Sequence, residues 1–260
     1  MRTALATSAA LLLLGVTPFG TSDGVTQDEA GAVPDRLRYL GQPRPGHTPV
    51  VFAPGDVSTD ARELGIVFTP GGREAYYTRV VDTLPMLFRR SFVDGTWTAE
   101  ERLALVASEP DADHSDPAIS PDGLRLYFSS NRAGGFGDQD IYRAQYRDGT
   151  FVDAVNLGPS LNTAQTEVDA YVSPDERTMI LAARRDGNRG ALDLYMTSRN
   201  ADGSWQALTP LGDAVNTELT DYCPMLSPDG EYFFFSRRTA EGGDIYWMRA
   251  SAIESLGSQP

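Results

Sequence analysis

The chain has 260 residues, a formal net charge of −14 and a sequence pI of about 4.5. Such an acidic chain does not suit nucleic acid or an anionic membrane surface, because binding a phosphate backbone requires clustered Lys and Arg. The single cysteine, Cys223, has no partner for a disulfide within the chain. Composition therefore leaves cationic, polyhydroxylated or protein partners open.

The N-terminus has the pattern of a secretory signal peptide. Met1-Arg2 precedes an apolar stretch over residues 4–16, which is followed by Thr17-Pro18 and small polar residues. The stretch is shorter than the about 20 apolar residues that span a bilayer, so no membrane span is expected. We predict a signal peptide at 1–22, a linker rich in Gly, Pro, Asp and Thr at 23–49, and a folded domain at 50–260. Export then places the protein in a periplasm or outside the cell.

A turn of the type Ser-Pro-Asp-Gly recurs along the folded domain. Its prolines, 51, 53 and 54 residues apart, are Pro70, Pro121, Pro174 and Pro228. An Asp-Gly pair follows in each of the first three repeats and supplies the positive φ that a tight hairpin turn needs. Four short strands in a repeat of this length are typical of a β-propeller blade.

The strand order is clearest in the second repeat, where strands a, b, c and d are predicted at 117–120, 124–129, 141–146 and 151–157. The fourth repeat stops after strand c. The missing strand d is matched by the segment 51–59, because Thr59, Thr163 and Thr217 each stand 11 residues before a turn proline. We therefore predict an all-β propeller of four four-stranded blades, closed into a ring by an N-terminal strand.

The second repeat also resembles a known family. Its run Asp116-Pro117-Ala118-Ile119-Ser120-Pro121-Asp122-Gly123, followed by Asp140-Ile141-Tyr142, is similar to the WD40-like repeat of TolB-type β-propellers over roughly residues 51–250. The resemblance implies a propeller but leaves function open, since such blades serve in binding modules, peptidase gates and lyases. Close resemblance to TolB itself would imply a six-bladed propeller that follows an α/β domain. This sequence predicts neither six blades nor that domain. The histidine-rich metal centre of relatives resembling oligogalacturonate lyases is not matched by His47 and His114 alone.

Two columns of the repeat place polar side chains at the mouth of the predicted channel. Seven residues before the turn prolines stand Glu63, His114, Glu167 and Asp221. Five residues before them stand Gly65, Asp116, Asp169 and Cys223. The first column could form a divalent-cation site, with calcium the most suitable ion, and no other cofactor is expected. Alternatively these side chains cap strand a by accepting backbone N–H bonds, which is favoured because repeat columns usually encode blade structure.

Two further columns flank the loop between strands b and c. We expect a charge-assisted arginine–aspartate pair inside each blade. The predicted pairs are Arg132 with Asp140, Arg185 with Asp193, and Arg238 with Asp244. The first repeat has Met86 at the aspartate position, so Arg79 is predicted to be freer to meet a ligand, unless Asp82 replaces the missing partner.

These features favour an exported, non-catalytic binding or scaffolding propeller that contacts a protein or a small ligand such as a carbohydrate. The predicted contacts, on the acidic channel-mouth face, are Glu63, His114, Asp116, Glu167, Asp169, Asp221 and Arg79. The alternative is a carbohydrate-active lyase or hydrolase on the same face, with Glu167 and Asp221 as paired carboxylates. A third interpretation is an architectural envelope protein without a small ligand. No catalytic residue is assigned, because a serine triad needs a histidine base and only His114 lies within the repeats.

Overall fold

The computed structural model describes residues 33–69, 71–82, 84–102, 114–120, 124–147, 150–240 and 242–253. In these ranges the chain forms β-strands joined by turns and loops, with three short 3-10 segments as the helical structure. No helix in the described ranges is long and apolar enough to cross a membrane. The predicted signal peptide, residues 23–32 of the predicted linker, and residues 121–123 of the second turn lie outside these ranges.

The strands fall into four sequential units, preceded by β1 (Val50–Val51). Unit 1 contains β2 (Arg62–Phe68), β3 (Glu74–Val81), β4 (Leu84–Val93), β5 (Thr96–Trp97) and β6 (Glu101–Arg102). Unit 2 contains β7 (His114–Ile119), β8 (Arg125–Ser130), β9 (Asp140–Arg147) and β10 (Thr150–Asn156). Unit 3 contains β11 (Glu167–Val172), β12 (Thr178–Ala183), β13 (Asp193–Ser198) and β14 (Thr209–Pro210). Unit 4 contains β15 (Thr220–Leu226), β16 (Tyr232–Arg238) and β17 (Gly243–Arg249). The strands of unit 2 begin and end within three residues of the prediction.

Strands within a unit pair antiparallel in chain order. Units 2 and 3 are separate four-stranded sheets. In unit 4 the outer strand is β1, whose Val50 and Val51 pair with Trp247 and Tyr246 of β17. This is the partner that the sequence predicts for the N-terminal segment. A single parallel pair, Gly243 with Arg62, joins unit 4 to unit 1 in a nine-stranded sheet, and no sheet of the described residues closes on itself.

The first strand of each unit is interrupted by a β-bulge, including β2 of unit 1 next to Gly65. The register of β7, β11 and β15 against the neighbouring strand shifts. At each shift one residue has a positive φ, namely Asp116 (56°), Asp169 (55°) and Cys223 (50°). The extra residue of a bulge leaves the ladder, which redirects its side chain. Because β11 packs against both β7 and β15, these three bulges lie in neighbouring strands.

The described part of the predicted linker packs against unit 4. The ring of Tyr39 meets those of Tyr232 and Trp247, with centroids 5.3 and 6.0 Å away. Its hydroxyl donates a hydrogen bond of 2.6 Å to Asp229, in the Ser-Pro-Asp-Gly turn of unit 4. Phe52 follows β1 and is fully buried in the same aromatic cluster. The segment before unit 1 therefore contributes core packing as well as a strand.

Candidate functional site

The loops of the units lie on two faces. The loop between strands b and c of one unit packs on the loop that enters the next unit. A Cβ at Gly137 would lie 2.1 Å from the Gln165 carbonyl oxygen, and one at Gly190 would lie 1.5 Å from that of Leu219. Only glycine permits such an approach. We call this the upper face, and the opposite face, formed by the a-to-b and c-to-d turns, the lower face.

The three carboxylates that stand seven residues before a turn proline are buried beneath the upper loops. Glu63, Glu167 and Asp221 are each 0% exposed. Each accepts a hydrogen bond from the threonine four residues earlier, as when the Thr217 N–H donates to Asp221 at 2.8 Å. Burial raises the pKa of all three carboxyl groups, whereas these hydrogen bonds and nearby arginines oppose the rise.

An arginine of the same unit is the counter-charge of each carboxylate. In unit 4, Arg237 Nε lies 2.7 Å from Asp221, and its Nη2 donates to the Val215 carbonyl at 2.7 Å. The guanidinium therefore ties the loop that enters the unit to the end of strand b. The same contacts join Arg79 to Glu63 and Val57, and Arg185 to Glu167 and Leu161.

Unit 2 carries His114 in this column, and its arginine is held by aromatic rings. The Arg132 guanidinium lies 5.1 Å from the Phe128 ring centroid and 4.9 Å from that of Tyr142. Arg237 stacks in the same way, 5.2 and 5.0 Å from Phe235 and Tyr246. His114 begins β7, and its side chain lies outside what is described.

The predicted arginine–aspartate pairs are replaced by other contacts. Asp140 accepts the N–H groups of Phe136 and Gly137 at 2.5 and 3.1 Å, and Asp193 accepts those of Arg189 and Gly190 at 2.8 and 3.1 Å. An aspartate placed after a loop satisfies the loop's own donors first, because they are the nearest. Arg185 instead pairs with Glu167, and Arg237 instead of Arg238 pairs with the carboxylate of unit 4. Asp244 is half-buried, and burial raises its pKa.

Arg79 was predicted to be freer to meet a ligand, and it is fully engaged. Its Nε lies 3.0 Å from Glu63, and its Nη1 lies 3.3 Å from Glu100. Its Nη2 donates to the carbonyls of Asp56 and Val57, each at 3.0 Å. The absence of an aspartate at position 86 therefore does not release this side chain, because its partners come from other loops.

The bulges bring together a second group, Asp116, Asp169 and Cys223, which we call the axial cluster. The carboxyl groups of Asp116 and Asp169 are hydrogen-bonded to each other, and Asp169 accepts the Cys223 N–H at 3.2 Å. Gly65 has the equivalent position in unit 1, where a Cβ would lie 3.3 Å from that of Cys223. Of the predicted contact residues, Asp116 and Asp169 are therefore the pair that meets across units.

Burial raises the pKa of two groups of the axial cluster, Asp169 and Cys223. Burial raises the pKa of Asp169, while hydrogen bonds from Asp116 and Cys223 and the charge of Arg62 oppose the rise. Burial, together with Asp169 and Asp116, raises the pKa of the Cys223 thiol well above its ordinary value. Two hydrogen-bonded carboxyl groups need a proton between them, because a carboxylate only accepts.

Substituting Asp169 by asparagine should raise the free energy of unfolding at neutral pH. The raised pKa means that the wild type loses stability as pH rises from the unfolded to the folded pKa of Asp169. Asparagine cannot ionise, tolerates a positive φ, and keeps a donor for Asp116 and an acceptor for Cys223. Urea denaturation between pH 3 and 8 should show no gain in acid and a full gain above the folded pKa. The exposed Asp138→Asn is the control, and a gain that does not change with pH would contradict the assignment.

The thiol of Cys223 should react slowly with iodoacetamide in the native protein. Since the thiolate is the nucleophile, every unit by which the pKa is raised lowers the rate about tenfold. We expect alkylation, followed by mass spectrometry, to be at least tenfold slower in buffer than in urea at the same pH. Equal rates would show that the thiol is not held protonated.

The predicted cation site has no matching geometry. Within the described ranges, no group of three or more His, Cys, Asp and Glu side chains is arranged to hold a metal ion. Glu63, Glu167 and Asp221 each face a guanidinium of their own unit. A divalent cation at any of them would first have to displace that arginine.

Known proteins resemble the chain only distantly. No protein-family model and no curated protein matches it. Similar solved structures include TolB from Acinetobacter baumannii, with 20% identity, 72% of this chain and 40% of that chain covered, and a TM-score of 0.35. Hydrazine synthase of Kuenenia stuttgartiensis has 15% identity, coverages of 75% and 55%, and a TM-score of 0.37. An α-L-arabinofuranosidase from Lactobacillus brevis has 12% identity, coverages of 71% and 70%, and a TM-score of 0.42. The chain thus spans 40% and 55% of the first two structures.

Proposed function

We propose that the four units are the blades of a closed four-bladed propeller that acts after export as a non-catalytic binding or scaffolding module. Ring closure is supported by equivalent contacts at three junctions, between units 2 and 3, units 3 and 4, and units 4 and 1. The Glu167 N–H donates to the Gln139 carbonyl at 2.9 Å, and the Asp221 N–H donates to the Leu192 carbonyl at 3.1 Å. The pairing of Arg62 with Gly243 joins unit 4 to unit 1 at the equivalent positions.

The N-terminal segment also makes the loop contacts of a complete blade. In unit 2, the Asn162 side chain binds both the N–H and the carbonyl of Ile141, at 2.8 and 2.9 Å. The Ser58 hydroxyl contacts the same two groups of Ile245 in unit 4, at 3.3 and 3.4 Å. Residues 50–58 are therefore related to unit 4 as residues 154–162 are to unit 2. These parallels favour β1 as the outer strand of a fourth blade.

The upper face is the proposed contact surface. Its loops expose the carboxylates of Asp60, Asp138, Asp186, Asp213 and Glu218. They also expose Phe136 and Leu219, which are 50% and 41% accessible. The buried arginine–carboxylate pairs hold these loops in place, and a preorganised surface loses less entropy on binding. A protein with a basic surface suits such a face, because its charge is complementary.

The burial of Glu167 and Asp221 is the observation that favours binding over catalysis. In the carbohydrate-active alternative these two carboxylates act on the substrate, and a general acid or base must come within hydrogen-bond reach of it. Both are 0% exposed and paired with arginine. Asp116 and Asp169 are accessible in part but are hydrogen-bonded to each other, so each occupies the other instead of leaving both free for a substrate placed between them.

Site-specific photo-crosslinking tests the proposed surface. A photoreactive phenylalanine analogue at Phe136, on the upper face, should capture a protein partner in cells that export the chain. The same analogue at Asp202, an exposed residue of a lower turn, is the matched control and should not. Capture at Asp202 alone, or turnover of a polysaccharide that is lost in Asp169→Asn, would contradict the proposal.

A further inference from the structure

A cleft of about 420 Å³ opens on the lower face of unit 3. Glu176 and Arg177, from the turn between β11 and β12, line one side of it. Arg199 and Gly203, from the turn that follows β13, line the other. We call it the lower-face cleft. It lies at the opposite end of the strands from the upper loops, so it is separate from the proposed contact surface.

Glu176 stands in this cleft at a backbone position that normally suits glycine. Its φ is 55°, and the same turn position in units 1 and 4 is occupied by Gly72 (65°) and Gly230 (71°). A residue with a Cβ in the left-handed region costs on the order of 1 kcal/mol. The turn itself therefore does not require a glutamate here, and the reason for Glu176 lies in what its side chain contacts.

The Glu176 carboxylate reaches across to unit 2. It accepts a hydrogen bond of 2.6 Å from Arg125 Nε and one of 2.9 Å from the Tyr127 hydroxyl. Arg143 is opposite Tyr127 on β9. Burial and the Glu176 carboxylate raise the pKa of Tyr127 to about 12, and the charge of Arg143 opposes that rise. The Nε of Arg143 is buried without a hydrogen-bond partner. Unit 2 thus brings two guanidinium groups, of Arg125 and Arg143, to the pair formed by Glu176 and Tyr127.

Two more arginines, Arg177 and Arg199, line the cleft together with Glu176. The Arg199 guanidinium lies 5.3 Å from the Trp205 ring centroid, and its Nε donates to the Gly203 carbonyl at 3.0 Å. Its Nη1 is 3.8 Å from Glu176, which is an ion-pair distance but too long for a hydrogen bond. In the described part of the chain, no hydrogen bond involves the Nη groups of Arg199 or the guanidinium of Arg177. Arg199 is thus held in place while its paired Nη donors stay available.

The acidic groups that line the cleft are Asp175, whose charge interacts with that of Arg177, and Glu176, which binds Arg125. Asp175 accepts the Ser173 hydroxyl at 2.6 Å and the Arg177 N–H at 3.0 Å, so its carboxylate is engaged in its own turn. Glu176 is only 8% exposed and binds Arg125 and Tyr127. Together Arg125, Arg177 and Arg199 bring three guanidinium groups against the two carboxylates of Asp175 and Glu176, an unusual balance in a chain with a net charge of −14.

We propose that the lower-face cleft binds a small oxyanion, a phosphate or carboxylate group, between Arg177 and Arg199. A guanidinium presents paired N–H donors whose geometry matches such an anion. Glu176 serves as the internal counter-charge that holds Arg125 at the back of the cleft. The bound oxyanion then balances the charge of Arg177 and Arg199, the two arginines that line the cleft.

Isothermal titration calorimetry of the purified protein with inorganic phosphate, and separately with citrate, tests this at constant ionic strength. We expect saturable binding with a Kd between about 10 μM and 1 mM. Arg177→Gln and Arg199→Gln should each weaken binding about tenfold. Arg147→Gln is the matched control, because Arg147 is an exposed arginine near the same face that pairs with Asp153, and it should leave the affinity unchanged.

Each variant is checked for an unchanged urea unfolding transition, because Arg199 also packs on Trp205. Arg177 is exposed and packs on no ring, so Arg177→Gln keeps the test decisive if Arg199→Gln unfolds. Tighter binding of citrate would identify a carboxylate ligand and tighter binding of phosphate a phosphate ligand, and either supports the site. No saturation by about 10 mM of either anion, or equal loss of affinity in Arg147→Gln, would overturn it.

Discussion

Replacing Arg237 by alanine should lower the free energy of unfolding by about 3–5 kcal/mol. The substitution leaves Asp221, which is 0% exposed, without its counter-charge and removes the hydrogen bond to the Val215 carbonyl. The hydrogen bonds from Thr217 remain, but a buried carboxylate that has lost its hydration is costly without a counter-charge. Urea denaturation at pH 7 measures the loss.

The neighbouring residue is the matched control for this prediction. Arg238 is half-buried at the end of the same strand, and Arg238→Ala should change the free energy of unfolding by no more than about 0.5 kcal/mol. Adding Asp221→Asn to Arg237→Ala should recover part of the loss, because the uncompensated charge is then removed. If Arg237→Ala costs no more than Arg238→Ala, the pair does not stabilise the loop.

The deficit of Arg237→Ala should also depend on pH. Burial already raises the pKa of Asp221, and Arg237 opposes the rise. Without the arginine the folded pKa rises further, so stability is lost as pH increases through that value. The difference from the wild type should therefore shrink in acid and widen towards neutral pH. A difference that is constant over this range would contradict the electrostatic explanation.

Replacing Phe52 by alanine should cost about 3–5 kcal/mol of unfolding free energy. Phe52 is fully buried, and its ring lies 5.4 Å from that of Phe234 and 5.1 Å from that of Trp247. A residue next to the first strand thus packs on strands near the end of the chain. Val50→Ala, in β1 but 45% exposed, is the control and should have a small effect.

The same variant tests ring closure. In a closed ring the N-terminal strand belongs to the cooperative unit, so Phe52→Ala should lower the urea midpoint of a single transition with an unchanged slope. If β1 is an appended strand, most of the protein should unfold at the wild-type midpoint, after an early and separate transition. Tryptophan fluorescence reports units 1, 3 and 4 through Trp97, Trp205 and Trp247, and circular dichroism reports the whole sheet content.

The repeat pattern and turn residues were sufficient to predict the strands. Strand positions depend on local chemistry, namely Pro and Asp-Gly turns that separate runs of β-forming residues. The pairing of residues 50–51 with β17 was also predictable, because a repeat that lacks its last strand needs one from elsewhere. Four antiparallel units could therefore be predicted without any knowledge of side-chain contacts.

The partners of the polar columns were decided only by the tertiary structure. The arginines that pair with the buried carboxylates stand 9, 11 and 9 residues after the turn proline in Arg79, Arg185 and Arg237. Loop length changes this offset, so column position does not identify the pair. The sequence signal that was available is that Thr59, Thr163 and Thr217 stand four residues before the three carboxylates, whereas unit 2 has His114 in that column.

By itself the sequence determined that this chain is an acidic repeat protein of short strands, because turn chemistry and strand period are local properties. Which side chains reach the axis and which are buried beneath the loops was decided by the bulges in β7, β11 and β15. One extra residue in a strand turns the following side chains to the other face. Two columns only two residues apart therefore have different surroundings, with Glu167 enclosed by its arginine and Asp169 meeting Asp116 across two units.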